Sequence, residues 1–187
     1  GIDACVNWND KVGEDFTYNL GFNITFTKNK LRKTNELNNI EDYRKSIGQP
    51  TSAIFGWQSQ GLFGKDVAIV GHPFQSFGNY QVGDIAYADL NNDGMVDNND
   101  QTCIGQSFPK TTLGVDVTLN YKGFGLYILG TATTGVTQML TSTYYWNKGL
   151  DGYSVLAKER YHPVNNPTGT QPRLTTTSGV NNDRNST

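Results

Sequence analysis

Between Phe16 and Phe26 the chain alternates without a slip. Phe16, Tyr18, Leu20, Phe22, Ile24 and Phe26 share one parity, and Thr17, Asn19, Gly21, Asn23 and Thr25 share the other. Successive side chains of a strand point to opposite faces, so this run specifies a strand with one apolar and one polar face. Upstream, Ile2, Ala4, Val6 and Trp8 alternate with Asp3, Cys5, Asn7 and Asn9. The short polar connection Lys11–Asp15, with Gly13 inside it, predicts a hairpin. The pattern recurs later. Leu113, Val115, Val117, Leu119 and Tyr121 alternate with small and polar residues, Lys122-Gly123 forms a tight turn, and Phe124, Leu126, Ile128, Gly130 and Ala132 follow on one face.

Strand length then separates two fold classes. Strands in globular proteins run to about 5 to 6 residues, whereas a tilted strand crossing a bilayer needs about 9 to 11. Both hairpins meet the longer figure. A soluble β-sandwich produces the same alternation. The connections favour a barrel: turns within each hairpin are short, while Lys28 to Thr111 and the stretch after Thr134 are long and rich in Gly and Asn. The expected fold is all-β, a portion of an antiparallel transmembrane β-barrel with long hairpins, long extracellular loops and a calcium-type loop.

Composition agrees. Only 36% of residues are hydrophobic, yet there are 9 Phe, 10 Tyr and 21 Gly, which disfavours both disorder and a helical fold. Fifteen Lys and Arg against 17 Asp and Glu leave a net charge of −2, so no basic surface is expected that would argue for nucleic acid or anionic lipid. No run has the 18 or so apolar residues of a membrane helix. Gly1 is followed by neither a basic nor an apolar leader region, so no signal peptide is expected within this chain. Cys5 and Cys103 lie in no CxxC or Cys/His cluster. They read as small residues on β segments, with a disulfide between them as the alternative.

Shorter segments are less decisive. Glu36–Ser46 reads as a short helical turn or a solvated loop. Ala53–Trp57 and Gln60–Phe63 suggest a further strand. Tyr153–Tyr161 has helical character that stops at His162-Pro163, and the tail from Pro163 is polar.

One constellation carries chemistry. Asp89, Asn91 and Asp93 occupy positions 1, 3 and 5 of a twelve-residue calcium loop, with Gly94 at the sharp turn of position 6. The Met95 carbonyl falls at position 7, Asp97 at position 9 and Asp100 at position 12. A hard cation with six to eight oxygen ligands suits this spacing. Asp100 replaces the usual bidentate Glu, and strand-like segments flank the loop where a sensor has helices, so the expected ion is structural. The alternative is a turn whose Asp and Asn side chains bond their own backbone. No catalytic set emerges: His72 and His162 are each followed by Pro and lack a ligand-spaced partner. Tyr144-Tyr145-Trp146 reads as an interfacial girdle or packing cluster, with stacking on a sugar as the alternative.

The series Gly83-Asp84-Ile85-Ala86-Tyr87-Ala88-Asp89-Leu90-Asn91-Asn92-Asp93-Gly94, Asp97, Ile104-Gly105 and Pro109-Lys110, followed by the Gly114–Gly123 hairpin, resembles the C-terminal barrel region of SusC/RagA-type TonB-linked outer-membrane proteins. Gly1-Ile2-Asp3, Trp8-Asn9, Gly48-Gln49-Pro50, Phe55-Gly56-Trp57 and Tyr161-His162-Pro163 agree with it. The resemblance implies that residues 1–187 are part of a TonB-dependent receptor barrel, with the plug and final strands absent. It implies an outer-membrane importer of oligosaccharides or peptides, not an enzyme. Its partners would be a SusD-like surface lipoprotein, outer-membrane lipid, and TonB through parts this chain lacks. The alternative is a soluble secreted calcium-binding β-module for adhesion or glycan binding.

Overall fold

The computed structural model describes residues 1–37, 40–142, 144–145, 153–177 and 179–183. Ten strands follow in order: β1 (Ile2–Val12), β2 (Phe16–Phe26), β3 (Ala53–Trp57), β4 (Ser59–Leu62), β5 (Phe74–Gln75), β6 (Ile85–Tyr87), β7 (Met95–Val96), β8 (Gln101–Gln106), β9 (Thr111–Tyr121) and β10 (Phe124–Thr134). The fold is all-β. The helical segments among the described residues are short 3₁₀ helices of three to five residues, including the Val155–Glu159 piece of the segment expected to be helical.

Two units divide the chain. The first comprises Gly1–Thr34, Ser46–Ala53 and Gly105–Thr137; the second comprises Asn35–Lys45, Ile54–Ile104 and Gln138–Thr187. The first is built on one antiparallel sheet of order β1-β2-β9-β10, in which every strand has 11 residues. β1 takes in Lys11 and Val12 of the expected connection, so its link to β2 is only the Gly13–Asp15 turn. Lys122 and Gly123 both adopt positive φ, 46° and 86°, as a two-residue hairpin turn matched to strand twist requires.

The registers place every apolar parity on one side. Trp8 pairs Leu20, Leu20 pairs Val117 and Val117 pairs Ile128; one step along, Val6, Phe22, Val115 and Gly130 form the next row. This face lies open: Trp8 is 60% exposed, Phe22 44% and Ile128 53%. Towards the short-turn end the row becomes aromatic, with Phe16 and Tyr121 rings 6.5 Å apart and Phe124 following Tyr121 in register. The opposite face carries Asn7, Gly21 and Asp116, a row that Leu129 completes, and Asn9, Asn19 and Thr118, a row that Tyr127 completes. There Thr25 Oγ1 donates to Asp3 Oδ1 at 3.0 Å, and Asn19 Nδ2 donates to Asn9 Oδ1. Gly21 leaves room for the Asp116 carboxylate, and Gly114 for the Asn23 amide.

The second unit has a small core. Leu62, Ile85, Tyr87, Val96 and Tyr161 pack together, with Trp57, Phe77 and Val180 against them. Short pairings frame it: β4 with β6 antiparallel, β5 with β7 parallel, and β3 with β8. Buried polar groups bind these pieces. Gln75 is fully buried, accepts from Tyr87 N at 2.8 Å and donates to Ile85 O and to Asn181 Oδ1 at 3.2 and 2.7 Å. Asp84, also fully buried, lies 2.8 Å from Arg173 Nε and accepts from Asn182 Nδ2 and Gln81 N, each at 2.9 Å. A carboxylate taken out of water needs such partners, because an unpaired buried charge costs several kcal/mol.

Candidate functional site

The acidic loop lies between β6 and β8, so strands flank it on both sides. Gly94 takes φ +87° and Asn92 φ +59°, the left-handed turn that position 6 calls for. Asp89, Asn91, Asp93, Asp97 and Asp100 each accept backbone N–H bonds from within the loop. Asp89 Oδ1 accepts from Asn92 N at 2.7 Å and its Oδ2 from Gly94 N at 2.9 Å. Asn91 Oδ1 accepts from Asp93 N at 3.0 Å, and Asp93 Oδ1 from Met95 N at 2.8 Å. Asp97 opens the 3₁₀ turn Asn98–Asp100 and accepts from Asn99 N at 2.6 Å. Asp100 closes a reciprocal cap, accepting from Asp97 N at 2.8 Å through one oxygen and from Leu90 N at 2.7 Å through the other. Met95 lies in β7, where Gly94 O and Val96 O accept from Phe74 N and Ser76 N of the β5 side at 3.1 and 3.0 Å. Carbonyls alternate along an extended strand, which turns Met95 O the other way.

These bonds are the side-chain to backbone pattern of a self-held Asx-rich turn. Among the described residues no three His, Cys, Asp or Glu side chains converge as a ready metal-holding group. The donor set is nevertheless all oxygen, and no cationic side chain among the described residues pairs with Asp89, Asp93, Asp97 or Asp100. Asp100 is fully buried and is satisfied by backbone N–H groups alone.

Supports invisible in the motif hold the loop from outside. Trp57 Nε1 donates to Asp97 O at 2.7 Å. The turn Asp42–Arg44, in the segment where helix and loop were both open, docks on the same corner: Tyr43 OH donates to Asn99 O at 2.8 Å, and Arg44 to Asn99 Oδ1 at 2.9 Å. Thr102 Oγ1 donates back to Tyr43 O at 3.0 Å. Burial, then the charges of Glu41, Asp100 and Asp89, push the Tyr43 phenol above its ordinary value.

The remaining candidates separate from this site. His72 lies edge-on to Phe63 at 4.8 Å with its ring nitrogens near Pro73 O and Gln60 Oε1. His162 Nδ1 accepts from Val164 N and Asn165 N, a turn-forming role. Tyr144 and Tyr145 meet edge to face at 5.2 Å, while Trp146 lies outside the described residues. Cys5 is exposed on β1 and Cys103 half-buried on β8.

No protein-family model matches the chain. It is similar to two proteins of Formosa agariphila (strain DSM 15362). TonB-dependent receptor P26 is 32% identical over 94 residues, which is 49% of this chain and 9% of that protein. TonB-dependent receptor P3 is 23% identical over 147 residues, 72% of this chain and 15% of that protein. The chain thus spans a small part of the relatives it matches, and the similarity points to TonB-dependent receptors in general.

Tyr43 gives the loop a pH signature. With its folded value raised above about 10, the phenol's contribution is complete below that pH and is lost as pH rises through the raised value. Absorbance titration should show the alkaline loss of the Tyr43 dock, and Tyr43→Phe should remove that step while leaving the remaining tyrosines' titration unchanged.

Proposed function

We propose that this chain is wall and extracellular loop of an outer-membrane, TonB-dependent importer of the SusC type, carrying oligosaccharides or peptides. The observation that carries the reading is the four-stranded sheet. Four strands of 11 residues keep one unbroken register, with an open apolar face and a face on which β1, β2 and β9 carry mostly Asn, Thr, Gly and Asp while β10 adds Tyr127 and Leu129. That is the alternation of a barrel strand between lipid and a watery lumen, at the length a tilted strand needs. In a soluble module Trp8, Phe22 and Ile128 would face water, which gives the secreted β-module reading no support here. The connections agree: two tight turns at one end of the sheet, and residues 27–110 leaving from the other.

The edges β1 and β10 carry backbone groups that hydrocarbon cannot satisfy, so further strands complete the barrel around them. The wall performs no bond chemistry. It shapes the lumen with Asn9, Asn19, Thr118 and Asp116, while the energy and the plug come through TonB-linked parts outside this chain, and a SusD-like lipoprotein covers the loops. In cells, loss of the complete polypeptide and loss of TonB should abolish uptake of the same oligosaccharide or peptide; uptake persisting in both strains would contradict the reading.

The Asp89–Asp100 loop is assigned a structural calcium ion. Asp89, Asn91, Asp93, Asp97 and Asp100 side chains and Met95 O would hold it. What supports this is four carboxylates in twelve residues with no cationic partner among the described residues. Calorimetry should show calcium heat that Asp93→Ala removes. Equal heats in the two proteins would retire the ion and leave a loop held by its own hydrogen bonds.

A further inference from the structure

The small net negative charge hides a local excess of cations. Lys28, Lys30, Arg32 and Lys33 fall within six residues that contain no acid. Lys110 is brought beside them because Thr27 N donates to Lys110 O at 2.8 Å, which extends the β2–β9 ladder by one pair. A cavity of about 220 Å³ opens at this end of the first unit, between residues 27–30, 48–50 and 106–110. Lys28, Lys30 and Lys110 line it together with Asn29 and Phe108, and no Asp or Glu does. Among the described residues none of these three lysines has an ion-pair partner, whereas Lys45, Lys65 and Lys122 each lie against a carboxylate, of Asp42, Asp66 and Asp15.

The walls are held in place before any ligand arrives. Gly48 N donates to Leu31 O and Leu31 N to Gln49 O, both at 2.8 Å. Asn29 Oδ1 accepts from Thr51 N at 2.8 Å and from Thr51 Oγ1 at 3.2 Å, so the amide's Nδ2 remains to be offered as a donor. The Lys110 stem runs close over Gly135, where a Cβ would come within 2.9 Å of it. Three lysines that line one cavity without a counter-charge repel one another, and an anion bound among them converts that repulsion into attraction.

We propose that this cavity is an oxyanion site, which takes a sulfate, phosphate or carboxylate group through the ammoniums of Lys28, Lys30 and Lys110 and the Asn29 amide. Lysine acts as a point charge and lacks the planar fork of arginine, so the site selects charge and size over bidentate geometry. The group can arrive on a soluble molecule or as the headgroup of a lipid, because the cavity lies where the apolar strand face ends.

The test uses the complete polypeptide that carries these residues, in neutral detergent at low ionic strength. Inorganic sulfate and inorganic phosphate are titrated calorimetrically, and flotation with phosphatidylglycerol or phosphatidylcholine vesicles is run alongside. Lys28→Gln and Lys30→Gln should each weaken binding about five-fold, and together about 25-fold, the effect of removing one or two near-surface charges. Lys158→Gln, outside the cavity, should change nothing. Lys110→Arg should retain binding that Lys110→Gln loses, which separates the charge from the packing on Gly135. Binding of the inorganic ions assigns a soluble ligand; binding of phosphatidylglycerol vesicles alone, lost in the same variants, assigns the headgroup. Absence of both, or binding unchanged in the double Lys28→Gln, Lys30→Gln variant, overturns the site.

Discussion

The pairing of β2 with β9 is the constraint on which the rest of the structure depends. It runs without a bulge from Phe16 opposite Tyr121 to Phe26 opposite Thr111, and it joins two hairpins that each close locally. Because side chains alternate with period two, a slip of one residue would send Phe16, Leu20 and Phe22 to the polar side and break the shared apolar face. Two glycines guard against that slip. A side chain at Gly21 would overlap the Asp116 carboxylate, and one at Gly114 the Asn23 amide, so bulky polar groups on one strand meet bare backbone on the next. The pairing also has to bring together the two ends of residues 27–110, and that closure makes the loop segment a passenger of the sheet register.

The second unit reaches order by a different balance. Its apolar cluster is small, and buried polar side chains do much of the tying: Gln75 between β6 and Asn181, Asp84 between Arg173 and Asn182, Asp100 between Leu90 and Asp97. Each is satisfied by hydrogen-bond partners from segments far apart in sequence or across the loop, so removing one partner leaves a buried group exposed to the full desolvation penalty. This explains how long polar segments, poor in aliphatic residues, hold a fixed geometry of their own.

How much of this could be read beforehand follows from which interactions are local. Both hairpins were legible almost to the residue, since alternation and the Lys122-Gly123 turn are local signals; only the reach of β1 to Val12 went further. The turn at Gly94 was legible for the same reason. The β2–β9 partnership was not, because nothing in either strand names its partner, and neither was the division into two units. The loop's outer supports were equally hidden: Tyr43 and Arg44 meet Asn99, and Trp57 meets Asp97, across more than forty residues in most cases. The lysine cavity is not legible in the net charge, which averages over the chain, and Lys110 joins Lys28 and Lys30 only through the sheet.

The central claim is that the face bearing Trp8, Phe22 and Ile128 lies against lipid hydrocarbon. Trp8 fluorescence in the complete polypeptide, folded into bilayers with brominated acyl chains, measures this directly. The account predicts bromine quenching that disappears with Trp8→Phe, relative to the same protein in unbrominated lipid. Equal quenching in the two proteins, with Trp8 contributing none of it, would place that face away from lipid and contradict the barrel-wall reading.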